Sequence, residues 1–198
     1  MTRRYVVLGL FAVLALGQIG VPVAMIVQRE RVISHGRAFK FRTAPVDPFD
    51  ALRGRYVALD FEADFVPEVE GVEFVRGRKM YALIEEDAEG FARLTRLVED
   101  RPEGDAYMRV EVRYTYPYEG KVHVDLPFDR YYLEEDIAPE AERAYREHRR
   151  EGNRDAYVIV RVWRGDAALE ELYVGGKPIL EFLADQNRAG RGGTERPQ

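Results

Sequence analysis

A hydrolytic nucleophile has one place to sit in this chain. Cysteine is absent and Ser34 is the only serine among 198 residues, so disulfides, thiolate nucleophiles and cysteine-ligated metals are excluded together. Ser34 would need a base, and Lys79 is the lysine that desolvation would have to activate. Its surroundings argue against that, because Arg76-Gly77-Arg78-Lys79 reads as a solvated turn whose like charges need water. The three histidines, His35, His123 and His148, have no second ligand at metal spacing, so no metal or other cofactor is expected. Glu134, Glu135 and Glu142 offer carboxylates for acid–base work, but acids are abundant here and paired acids usually form a wet face. The set lacks a complete nucleophile, base and orienter, which favours binding over catalysis.

The element that positions Ser34 is the N-terminus. Tyr5 to Val27 is 23 residues without Asp, Glu, Lys or Arg. At about 1.5 Å per residue it reaches roughly 35 Å, enough to cross a hydrocarbon core of about 30 Å as one helix. Arg3 and Arg4 precede it, and Gln28-Arg29-Glu30-Arg31 follow. Ala15-Leu16-Gly17 resembles a signal-peptide cleavage site, so a removable leader is the rival reading. Arg29, Arg31, Arg37, Lys40 and Arg42 outnumber the bases ahead of the span, against a simple positive-inside count. Long domains translocate largely regardless of charge, so the expectation is an inner-membrane signal anchor with its N-terminus in the cytoplasm and its body outside. The same five bases form a candidate contact with anionic headgroups.

Beyond the span the charge balance reverses sign. The remaining 171 residues hold 28 of the 30 bases and all 35 acids, a net charge of −7. An acidic body argues against nucleic-acid binding, which needs a positive surface. Its length suits one domain or two small ones, with aromatics enough, at 12% of the chain, for a real core.

Strand patterns dominate this body. Met108, Val110, Val112, Tyr114 and Tyr116 alternate with polar residues, Pro117-Tyr118-Glu119-Gly120 turns the chain, and Val122, Val124 and Leu126 alternate again. A second hairpin runs from Tyr157 to Trp163, turns at Arg164-Gly165-Asp166 and returns through Leu169 to Val174; Tyr81 to Leu97 repeats that plan earlier. One stretch reads as a soluble helix, Pro139 to Glu151, with Ala141, Ala144, Tyr145 and His148 on its apolar stripe and Glu142–Arg146 paired on its wet face. His148 is expected to pack beside Tyr145 rather than to ligate. The end of the chain, residues 185–198, reads as a disordered tail.

The two halves match weakly. Arg55-Tyr56 corresponds to Arg130-Tyr131, Asp64-Phe65-Val66-Pro67-Glu68 to Asp136-Ile137-Ala138-Pro139-Glu140, and Tyr81, Val98 and Pro102 to Tyr157, Val174 and Pro178. The expected fold is therefore mainly β, of the α+β class. It has an anchor over residues 1–28, a juxtamembrane linker and first strand over 29–44, and two similar packed β-rich units over 45–104 and 105–184, with one helix in the second.

Residues 45–61 carry a family resemblance. Gly54, Tyr56 and Leu59 match the Gly-Asp-Tyr-x-x-Leu-x-Tyr signature of a bacterial family named for it, while Arg55 replaces its Asp and Phe61 its last Tyr. The Pro45-Val46-Asp47-Pro48 lead-in, Asp129 to Glu135 and Val174-Gly175-Gly176-Lys177-Pro178 also resemble that family's layout. The resemblance implies a membrane-anchored protein and no particular activity. It makes Asp47, Arg53, Gly54, Arg55, Tyr56, Leu59, Arg130, Tyr131 and Glu135 the candidate binding residues, although a rigid corner feeding a core strand explains the motif better than a recognition loop does.

The function expected is thus a single-pass, extracytoplasmic binding or assembly module that partners another envelope or membrane protein. The alternative is a serine-lysine hydrolase similar to bacterial signal peptidases, whose serine motif Ser34-His35-Gly36 lacks.

Overall fold

The computed structural model describes residues 2–44, 56–68, 73–116, 118–134, 136–148 and 155–192. It opens with helix α1, Thr2–His35, which passes through Pro22 without a break. From Arg4 onward α1 is long and apolar enough to cross a membrane, and none of its most apolar stretch is covered by the rest of the protein.

The helix does not stop where the apolar residues do. The expected linker after residue 28 is two further turns of α1, ending at Gly36, whose amide donates to the Val32 carbonyl at 2.8 Å. Ser34 Oγ donates to Glu30 Oε1 at 3.2 Å, and Val32 is buried, so one side of these turns is packed and another is wet. A local run of charge hid this amphipathic end from sequence reading.

Three sheets follow, built from β1 (Arg37–Ala44), β2 (Tyr56–Ala58), β3 (Asp60–Phe61), β4 (Phe65–Pro67), β5 (Lys79–Glu86), β6 (Ala92–Val98), β7 (Tyr107–Tyr116), β8 (Lys121–Asp125), β9 (Arg130–Tyr132), β10 (Tyr157–Trp163), β11 (Asp166–Val174) and β12 (Lys177–Pro178). One sheet has the order β12-β11-β10-β1-β3, a second β4-β8-β7-β5-β6, and β2 and β9 form a two-stranded ribbon. The three expected hairpins are all present. Alternation along β1, β5, β7 and β10 sends Phe39, Phe41, Met80, Ala82, Val110, Val112, Val158 and Val160 inward to one core.

Both five-stranded sheets draw strands from either side of position 104/105. β1 lies against β10, with Phe39 opposite Val160 and Phe41 opposite Val158, while β7 lies against β5, with Met108 opposite Ala82. Each half thus lends its first strand to the hairpin of the other, and each sheet mixes residues from both sides of the boundary. Long-range pairing of this kind leaves no trace in local periodicity.

Two helices complete the body. α2, Ala138–His148, buries Ala138, Ala141, Ala144 and Tyr145 and carries the Glu142–Arg146 pair on its exposed side. α3, Ile179–Gly192, was not expected, since residues from 185 onward read as tail; Ile179 and Leu183 are buried one turn apart, and Lys177 holds Asp185 at 2.5 Å.

Candidate functional site

The signature strand and its counterpart meet directly. β2 and β9 pair antiparallel, Tyr56 opposite Tyr132, Val57 opposite Tyr131 and Ala58 opposite Arg130, and the Leu59 amide extends the ladder to the Asp129 carbonyl at 2.9 Å. Leu59 itself is core. Phe61 sits edge-on to Phe41 and Phe128, at 6.3 and 5.2 Å between ring centroids, in an apolar cluster where a tyrosine hydroxyl would need a partner. Tyr131 Oη donates to Glu171 Oε1 at 2.6 Å; burial first, then this carboxylate, pushes the phenol well above its ordinary range, so it stays neutral. Arg130 is exposed, with Nε 3.5 Å from Asp129 Oδ2. The structure therefore brings Tyr56, Leu59, Arg130 and Tyr131 together at one two-stranded ribbon, while Asp47, Arg53, Gly54, Arg55 and Glu135 lie outside the described residues.

A concavity also opens on one of the five-stranded sheets, and of its lining only Arg42 belongs to a contact expected from sequence. β4 and β6 are the two edges of their sheet, and they approach each other without pairing. A groove of about 680 Å³ runs between them. Phe65 and Pro67 line one wall, Ala92 to Thr95 the other, and Glu119, Gly120 and Lys121 of the β7–β8 turn close one end. The opposite end carries Arg42, whose guanidinium lies 3.8 Å over the Phe91 ring and pairs with Glu89. Asp87 Oδ1 accepts the Phe91 and Glu89 amides, both at 2.9 Å, and the Phe91 amide leads the causes that hold this carboxyl below the usual range. Arg42, Arg93 and Lys121 thus face the groove with Glu62, Asp87 and Glu119.

An aromatic face adjoins this groove. Register places Phe65, His123 and Tyr114 on one side of adjacent strands, with ring centroids 4.9 Å apart for Phe65–His123 and 4.7 Å for the stacked Tyr114–His123 pair. Phe65 is 42% and Tyr114 41% exposed. Such rings give a rigid, partly wet surface beside mixed charge, suited to holding a peptide segment.

Among the described residues the catalytic candidates lie apart. Ser34 spends its proton on Glu30, and Lys79 opens β5, opposite Glu111, in a different sheet from β10 and β11, on which α1 packs. His148 Nδ1 lies 2.8 Å from Asp155 Oδ1 and its ring meets Phe182 edge-on, packed more than poised. Among the described residues no group of three or more His, Asp and Glu is arranged to hold a metal.

The sequence model of the family described as GDYXXLXY protein matches residues 18–172, from within α1 to within β11. The chain belongs to the GDYXXLXY family. The match takes in the signature strand, the whole β4-β8-β7-β5-β6 sheet, most of the other five-stranded sheet and the helical junction, and it leaves out β12 and α3. Comparison with curated proteins and with solved structures gave no match.

Proposed function

We propose that this GDYXXLXY protein is a single-pass, extracytoplasmic binding module that captures an extended segment of another envelope or membrane protein in the β4–β6 groove. The groove carries the reading: two strand edges that pair with no further strand among the described residues flank a cleft of about 680 Å³ lined by Phe65, Phe91 and charges of both signs. Edge strands are ready templates for another chain, and charged flanks keep them from pairing indiscriminately. Here Arg93, Lys121 and Glu119 supply those flanks.

α1 gives the module its address. In this reading the helix crosses the inner membrane with its N-terminus in the cytoplasm, and its last two turns hold the body in a fixed attitude. The halves of the body are an exchanged duplication, each completing its sheet with the other's first strand.

The test is a photo-crosslinking amino acid at Thr95, inside the groove, compared with one at Glu181 on α3. The reading expects a discrete envelope-protein adduct from Thr95 only, abolished by reversing Arg93 and Lys121 to Glu. Equal adducts from both positions, or an adduct indifferent to the charge reversal, would contradict it.

A further inference from the structure

The β10–β11 turn is placed where α1 leaves its apolar span. Val27 is the last residue of that span, and Gln28 Nε2 donates to Asp166 Oδ2 at 2.8 Å. One residue on, Arg29 reaches the Leu169 carbonyl at 3.4 Å; Val32 is buried, and the His35 ring lies 5.8 Å from that of Trp163. From Gln28 to His35 the helix rises about 10 Å. The interfacial layer on each side of a hydrocarbon core is roughly 5 to 8 Å thick. If the span crosses a bilayer, Asp166, held by Gln28, therefore stands within that layer, and Trp163, beside His35 about 10 Å farther along the helix, stands at its outer margin.

Its chemistry matches that position. Trp163 is the only tryptophan of the chain and is half-buried, a residue type that membrane interfaces favour. Arg164, exposed and at φ 54°, lies 4.7 Å over the Trp163 ring. Asp166, the turn's acid, is engaged by Gln28 and Arg109, and Glu170 is held by Arg161 in a two-bond fork of 2.7 and 3.1 Å. Glu30 accepts from Ser34. Arg164 and Arg31 have no ion-pair partner among the described residues, so the uncommitted charge beside the span is positive although the body is acidic. By contrast Arg37 and Arg42, two of the bases that sequence alone marks for the membrane, are paired with Glu86 and Glu89.

We propose that the Trp163–Arg164 turn is a headgroup contact that docks the body on anionic phospholipid. The indole lies at the outer margin of the interfacial layer, and the guanidinium pairs with lipid phosphate, for which its planar fork is suited. This rests on α1 being an uncleaved anchor. It makes the turn a second point of attachment, so that helix and turn together fix the tilt of the groove above the membrane.

The single tryptophan makes the test specific. The full chain is reconstituted into phosphatidylcholine vesicles with and without phosphatidylglycerol, floated on a gradient, and excited where indole alone absorbs. Quenching by a nitroxide carried on the lipid headgroup is compared with quenching by aqueous iodide. The expected result is strong headgroup quenching with poor iodide access, sharpened by phosphatidylglycerol. Arg164→Asn, which tolerates positive φ, should shift that balance toward iodide by about fivefold, the worth of one base at an anionic surface. A chain that does not float overturns the anchor and the docking with it. A chain that floats with Trp163 fully open to iodide, or with quenching unchanged in Arg164→Asn, overturns the docking alone.

Discussion

The hairpins β5–β6 and β10–β11 are built to the same local plan and end in different surroundings. Both alternate buried and exposed residues, with Met80, Ala82 and Ile84 in the first answering Val158, Val160 and Val162 in the second. Each has one register shift, between Leu83 and Ile84 in one and between Ile159 and Val160 in the other. β11 is covered by β12 along its edge and by the end of α1 across its face, while β6 ends its sheet and walls the groove. Hydrophobic alternation decides that a strand forms; the strand's neighbours decide whether it becomes scaffold or surface.

Separating the halves should have the largest effect. Because β1 completes the β10–β11 sheet and β7 the β5–β6 sheet, residues 36–104 and 105–184 expressed apart should each lack native circular dichroism and regain it on mixing. A cooperatively folding single half would show that the strand exchange is dispensable.

Turn glycines sharpen the contrast. Gly165 has φ +88°, and a Cβ there would lie 3.1 Å from the Tyr107 ring, whereas Gly90 has φ +80° with open space around it. Gly165→Ala should cost about 3 kcal/mol, backbone strain plus overpacking, and Gly90→Ala about 1 kcal/mol from strain alone, as read by chemical denaturation. Equal losses would mean that the β10–β11 turn is not packed against β7.

Acid should act on one hairpin first. The folded-state pKa of Asp87 is depressed, so its contribution to the β5–β6 turn is present above the unfolded value near 3.8 and is lost as pH falls through the lower folded one. Amide protection at Glu89 and Phe91 should therefore fall with acid below about pH 4, while Val160 and Val162 in β10 keep theirs. The smallest effect belongs to Ser34→Ala, within about 0.5 kcal/mol of the parent and without loss of partner capture; abolished function at normal protein levels would revive the hydrolase.

Legibility followed the range of the interaction. The hairpins were readable because period-two alternation and Gly-bearing turns are local, as were α2 and the apolar stretch of α1. The signature ribbon was readable as a motif, though its geometry assigns Leu59 and Tyr131 to packing. Four features were hidden. Pairing of β1 with β10 joins residues more than a hundred positions apart. The last turns of α1 are helical because Val32 meets the sheet, which Arg29-Glu30-Arg31 does not advertise. α3 shows only Ile179, Leu180, Phe182, Leu183 and Ala184 before a polar run. The groove is assembled from three turns and two strand edges, none of which looks functional alone.

The account rests on α1 and the body being one rigid piece, so the most direct measurement is amide hydrogen exchange across residues 29–36 in the full chain in nanodiscs. Gly36 marks the junction: a Cβ there would lie 2.3 Å from the Val32 carbonyl oxygen, so only glycine fits. The account predicts that these amides are protected to the level of β10 and lose that protection in Gly36→Ala, with a stability loss of about 3 kcal/mol. Exchange at the rate of an open chain in the parent protein would make residues 29–36 a flexible tether and contradict it.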